Sequence, residues 1–226
     1  MPVSAPVLPV VGTGSFIKAS AASFMDIRAQ KRALRRTAVE RIHSLDPVDR
    51  QSQQGALVDR FIGLPGYRAA ETVLLYATAF PEEIDTAPML EQALADRKRL
   101  LCPRVARRQL QLYVVQDLRA DLVAGTLGIP EPRPGAPSVG PDQVDWVLVP
   151  GLLFDEQCYR LGRGAGHYDR LLPQLRRGVS CWALAFDCQW VDALPIEPHD
   201  VPLDGIVSPG KSLCCRIQGR VDARGR

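Results

Sequence analysis

The text between residues 72 and 105 admits few folds. "TVLLYAT" at 72–78 and "RLLCPRV" at 99–105 are continuous apolar, β-rich runs of strand length, the pattern of strands buried on both faces of a parallel sheet. Between them "TAPMLEQALADR" carries helical spacing, with Thr86 placed as its cap. Strand, helix and strand in that order imply a right-handed parallel crossover. Further strands are expected in "LQLYVV" (110–115), "VDWVLVPGLLF" (144–154), "VSCWALAF" (179–186) and "DGIVSP" (204–209). Helices are expected from Asp26, placed to cap, through Leu45, over 47–62, and over "YDRLLPQLRR" with a bend at Pro173. The prolines and glycines of 125–142 forbid regular structure, so that stretch is expected as a loop lying over something. The alternation defines an α/β protein with a mainly parallel sheet flanked by helices.

A chain of 226 residues is long enough for one well-buried domain. The expected division is a disordered extension over 1–25, a single α/β domain over 26–209 and a peripheral tail over 210–226. Lys and Arg number 28 against 25 Asp and Glu, too small an excess to argue for nucleic acid. No apolar run approaches the ~18 residues of a membrane span, so neither nucleic acid nor membrane is expected as a partner. The first 25 residues lack a basic segment and are broken by prolines, which argues against a signal peptide. The six cysteines form no C-x-x-C pair; they read as reduced thiols in a cytoplasmic protein, and zinc is not expected.

The motif that carries chemistry is "RLGRGAGHYDRLL" at 160–172, with Gly162, Gly164 and Gly166 at alternate positions. Glycine lacks the Cβ that blocks positive φ, so three in alternation let backbone N–H groups converge on one anion. A strand before and a helix after put that anion near a helix N-terminus. Arg160 and Arg163 add fork-shaped donors suited to phosphate. No lysine follows in the Walker position, and His167 stands where the dinucleotide fingerprint needs glycine. Asp169 is placed either to hold a magnesium ion beside phosphate or to cap the following helix. Lys31 and Arg35 stand four apart on the first helix and share a face; by themselves they read as solvated surface.

The block "VPGLLFDEQCYRLGRGAGHYDRLL" closely resembles the signature of the 5-formyltetrahydrofolate cyclo-ligase family. "KRALR" (31–35), "EEIDT" (82–86), "LCPRV" (101–105), "LGIPEP" (127–132) and "PIEPHDVPLDGIVS" (195–208) follow in the family's order, so the likeness covers about residues 28–208. The resemblance implies a NagB/RpiA/CoA-transferase-like fold and an ATP- and magnesium-dependent enzyme. Its reaction would convert 5-formyltetrahydrofolate, with or without a polyglutamate chain, to 5,10-methenyltetrahydrofolate with release of ADP and phosphate, as a monomer. It implies a phosphate grip from Lys31 and Arg35, a nucleotide loop of Arg160, Leu161, Gly162, Arg163, Gly164, Ala165, Gly166, His167 and Tyr168, and catalytic roles for Lys31 and Arg163. It implies a folate side formed by Glu83 and by Arg163, Gly164, Ala165, Gly166 and His167, and magnesium ligands at Asp169 and Asp200. Glu82 is adjacent to Glu83, and the spacing to Thr86 favours Glu83 as the pterin-reading carboxylate. Three positions depart from the family pattern: Ala165 where lysine is frequent, His167 where an aromatic is usual, and Ser208 where threonine is common. A member with altered substrate and a non-catalytic folate or nucleotide binder are the alternatives.

Overall fold

The computed structural model describes residues 21–125 and 128–215, with side chains from residue 27. In chain order the helices are α1 (Ala21–His43), α2 (Pro47–Phe61), α3 (Ala87–Ala95), α4 (Leu118–Asp121) and α5 (His167–Leu171). The strands are β1 (Thr72–Leu74), β2 (Arg99–Ala106), β3 (Gln109–Val115), β4 (Leu122–Ala124), β5 (Pro130–Pro132), β6 (Ser138–Val139), β7 (Trp146–Leu148), β8 (Leu153–Phe154), β9 (Arg160–Leu161), β10 (Ser180–Leu184), β11 (Gly205–Val207) and β12 (Ser212–Cys214). Eight of them form one sheet in the order β12-β11-β10-β7-β1-β2-β3-β6. The central five are parallel, and β12, β3 and β6 pair antiparallel outside them.

The continuous apolar runs follow from burial on both faces. Val73 and Leu75 pack with Trp146, Leu148, Trp182 and Leu184 on one side, while Leu74 packs with Val147, Cys181 and Ala183 on the other. On the first side Phe61, Tyr67 and Trp146 meet with centroids 4.5–5.9 Å apart, geometry that adds to plain area burial. The start of α2 is fixed by Asp46, whose carboxylate accepts from Val48 N and Asp49 N.

Strand order places the site. From β1 the chain crosses through α3 to β2 on one side, whereas β7, β10 and β11 lie on the other. The reversal falls between β1 and β7, and in open α/β sheets the crevice at the carboxyl ends of such a strand pair is where ligands bind. The segments leaving those ends carry Glu83 and the glycine block.

Several expectations need correction. Helix α1 is already formed at Ala21, so Asp26 lies inside it rather than at its start, and residues 21–25 are helical; the remainder of the proposed extension, 1–20, and the last residues, 216–226, lie outside the described residues. Strand β1 ends at Leu74 because Tyr76 and Ala77 leave the ladder to line the crevice. The stretch 125–142 is not wholly irregular: β5 pairs with β4, and β6 with β3. The tail is not merely peripheral either, since β12 is an edge strand of the main sheet. Cys158 and Cys215, expected as thiols, are joined in a disulfide; Cys102, Cys181, Cys188 and Cys214 take no part in one.

Candidate active site

Helix α1 clamps two loops at once. Lys31, only 6% exposed, extends Nζ to Asp200 Oδ2 at 2.5 Å and to Glu197 Oε2 at 3.0 Å. One turn later Arg35 donates from Nε to the Gly162 carbonyl at 2.8 Å. The shared face read from the sequence is therefore no solvated surface: it ties the 197–200 segment and the glycine block to one helix. A lysine this buried persists because it is paired.

The glycines are not equivalent. Gly164 has φ +105° and Gly166 φ +64°, whereas Gly162 is not in the left-handed region. A Cβ on Gly164 would sit 3.1 Å from Arg35 Cζ; on Gly162 it would meet nothing within 4 Å. Gly166 is the N-cap of α5, a helix of five residues, so the anion cradle expected from the sequence would have to rest on loop amides and arginines rather than on a long helix. Asp169 lies in the first turn of α5 and is not its cap. Its Oδ1 accepts from Arg160 at 3.0 Å and from Val201 N at 3.4 Å, joining α5 to the segment after Asp200.

After β1, Thr78 and Thr86 lock the loop that carries the two glutamates. Thr86 N donates to Thr78 Oγ1 at 2.8 Å, and Thr86 Oγ1 donates to the Tyr76 carbonyl at 2.6 Å. Thr86 therefore does not cap α3 with its side chain, as expected, but shapes the crevice. Glu83 Oε2 accepts from Ala79 N at 2.8 Å and Phe80 N at 3.3 Å, and Oε1 lies 3.6 Å from Arg163 Nε. Burial nevertheless pushes the Glu83 carboxyl above its ordinary range, against the pull of those amides and of Arg163. Burial pushes Glu82 upward too, but its own amide, Arg163 and His43 hold it below the ordinary value.

These pieces enclose a cavity of about 310 Å³. Every site residue inferred from the sequence lines it: Lys31, Arg35, Glu83, Arg160 through Tyr168, Asp169 and Asp200. Sequence reasoning missed Tyr76, Phe80, Glu197, His199 and the wall from Ile129 to Glu131. For Glu197 and His199 the signal was present in "EPHD", where two residues flank Asp200 closely; their ligand atoms and that of Asp200 lie within 4.8 Å of one another. The Tyr168 hydroxyl is buried without a hydrogen-bond partner. Burial and the nearby Glu83 raise its pKa well above the phenolic range, so it stays a proton donor. Burial and Arg170 lower His167, whose Nδ1 lies 3.1 Å from Arg170, favouring a neutral ring.

Together the fold and the site define an α/β protein whose switch-point cleft gathers lysine and arginine side chains, a glycine loop and a half-buried carboxylate. The chain belongs to the 5-formyltetrahydrofolate cyclo-ligase family, whose profile matches residues 27–209, and this makes it a ligase. It is 32% identical over 176 residues to the 5-formyltetrahydrofolate cyclo-ligase of Escherichia coli K12, covering 76% of this chain and 96% of that one. With the mitochondrial cyclo-ligase of Arabidopsis thaliana it shares 29% over 206 residues, 80% and 74% of the two chains. The solution structure of Aquifex aeolicus 5,10-methenyltetrahydrofolate synthetase superposes with a TM-score of 0.73 at 30% identity, over 85% of this chain and 96% of that one.

Proposed function

We propose that this chain cyclises 5-formyltetrahydrofolate to 5,10-methenyltetrahydrofolate, with ATP as cosubstrate and ADP and phosphate as products. The observation that carries the reading is the single cleft uniting Lys31, Arg35, Arg160 and Arg163 with an amide-rich glycine loop and the Glu83 carboxylate. A formamide oxygen is a poor leaving group. Transfer of the γ-phosphoryl to it breaks the bond to ADP and makes an imidate-like phosphate; N10 then attacks the former formyl carbon, loses its proton, and phosphate departs. No protein nucleophile is required, so the residues serve by position and charge, as in phosphoryl transfer generally.

The assignments follow from chemistry. Lys31 and Arg163 neutralise charge on the transferred group, Arg35 and Arg160 hold the loop and contribute to the phosphate field, and the amides of 162–168 supply further donors. Glu83 accepts two N–H groups from the 2-amino-4-oxo edge of the pterin. Asp169 and Asp200 supply the carboxylate oxygens that suit magnesium, a donor class that fits the ion, with Glu197 beside Asp200. When bound, magnesium supplies neutralisation of phosphate charge. Among the described residues no helix is long and apolar enough to cross a membrane. The reading needs neither nucleic acid nor a second copy of the chain; it extends to folates carrying a polyglutamate chain.

The test is an absorbance assay for the methenyl product with purified protein, 5-formyltetrahydrofolate, ATP and magnesium. Product is expected from the complete mixture and none when any component is left out or magnesium is chelated. A complete mixture that stays silent overturns the assignment.

A further inference from the structure

Glu82 is 6% exposed, yet it does not line the cavity that its neighbour Glu83 and Arg163 share. Its carboxylate is spanned by two side chains: Arg163 Nη2 at 2.5 Å from Oε1 and His43 Nε2 at 3.9 Å from Oε2. The Arg163 guanidinium lies over the Phe80 ring, its Cζ 3.5 Å from the centroid. Arg163 stands between Gly162 and Gly164, and a long side chain there loses much rotamer freedom when it meets a ligand. Glutamate and ring remove that freedom in advance. A guanidinium has five N–H donors, more than these carboxylates use, so donors remain for phosphate.

We propose that Glu82 is a positioning residue for nucleotide: it holds the Arg163 guanidinium over Phe80, ordered before phosphate arrives, and leaves Glu83 to the other substrate. This rests on the assignment of Arg163 to phosphate made above. Glu82 touches no reacting atom, so its effect must pass through Arg163, and that dependence separates it from a merely structural role.

Binding of the non-hydrolysable ATP analogue AMP-PNP with magnesium, measured by calorimetry, reads the coupling directly. Glu82→Gln is expected to raise the Kd about tenfold, the loss of one charge-assisted contact at a partly exposed arginine. The KM for 5-formyltetrahydrofolate should move less than about twofold on the same scale. On an Arg163→Ala background the same substitution should change the Kd by less than about twofold. Where Glu82→Gln fails to fold, Glu82→Asp, which keeps the charge but retracts it by a methylene, should cost about threefold alone and nothing without Arg163. Wild-type affinity in Glu82→Gln overturns the proposal, as does an equal loss with Arg163 absent, or an Arg163→Ala protein that binds the analogue normally. Because the readout is nucleotide binding, a wild-type protein inactive on the folate would sink the proposed reaction and leave this coupling measurable.

Discussion

Glu82 and Glu83 are adjacent on one loop, and their surroundings push their acidities apart: burial prevails at Glu83, whereas at Glu82 burial is outweighed by its own amide together with Arg163 and His43. Separated pKa values in neighbouring carboxyls mark a division of roles. A carboxyl raised in the folded state binds its proton more readily there than unfolded, so it favours the fold at low pH and that stability is lost as pH rises through the raised value. Pterin binding makes the opposite demand, since only the ionised carboxylate accepts both N–H groups. The KM for 5-formyltetrahydrofolate should therefore climb as pH falls, beginning above the ordinary glutamate range. Glu83→Gln should remove that inflection and raise the KM about tenfold or more, consistent with losing a charge-assisted pair; a pH series of initial rates checks both, and an unchanged KM removes Glu83 from the pterin. The spacing to Thr86 was enough to single out Glu83 in the sequence. The role of Glu82 was not legible, because which way a side chain points after a turn depends on the Thr78–Thr86 lock, made by residues eight apart.

Periodicity made the elements legible but not their ends. Lys31 and Arg35 shared a face on paper and do so in the fold, and the crossover β1-α3-β2 is parallel as the order required. The apolar run 72–78 overran its strand, because residues that line a crevice are as apolar as those in a ladder. The glycine alternation likewise concealed a difference that only φ reveals. At Gly164 the backbone is one that L residues rarely adopt and a Cβ would press on Arg35, whereas Gly162 has room. Gly164→Ala should cost about 1–3 kcal/mol in strain at the site and weaken ATP by tenfold or more by displacing Arg35. Gly162→Ala should leave the melting temperature within about 2 °C of wild type, since a surface substitution without strain costs little. Thermal melts together with nucleotide titration separate the two; equal behaviour would mean that the bend at Gly164 does not shape the cradle.

Across the whole molecule the part least legible was the carboxyl end. "GKSLCCRIQGR" has no periodicity, and a strand of three residues at a sheet edge needs none, because its register comes from its partner β11. Polar contacts anchor it besides: Gly210 N donates to Asp187 Oδ1 at 2.9 Å, Lys211 pairs with Glu156 at 2.8 Å and lies over the Trp190 ring, and Cys215 N donates to the Asp204 carbonyl at 2.8 Å. The Cys158–Cys215 bridge closes a separation of 57 residues that contains the glycine block, α5, β10 and β11. A crosslink of that span acts mainly by limiting the unfolded chain, and is worth roughly 2–4 kcal/mol. Cys215→Ser should therefore lower unfolding free energy by about that amount, and reductant should do the same to wild type while doing nothing further to the variant. Cys214, exposed and free, supplies the control: Cys214→Ser should change neither. Catalysis should survive reduction, because β12 keeps its pairing with β11 and the tail keeps its polar anchors, none of which requires the bridge. Urea melts with and without dithiothreitol, paired with the methenyl assay, decide the matter. A reduced protein that loses activity while still folded would show that the bridge also holds Arg160, two residues from Cys158, in its working place.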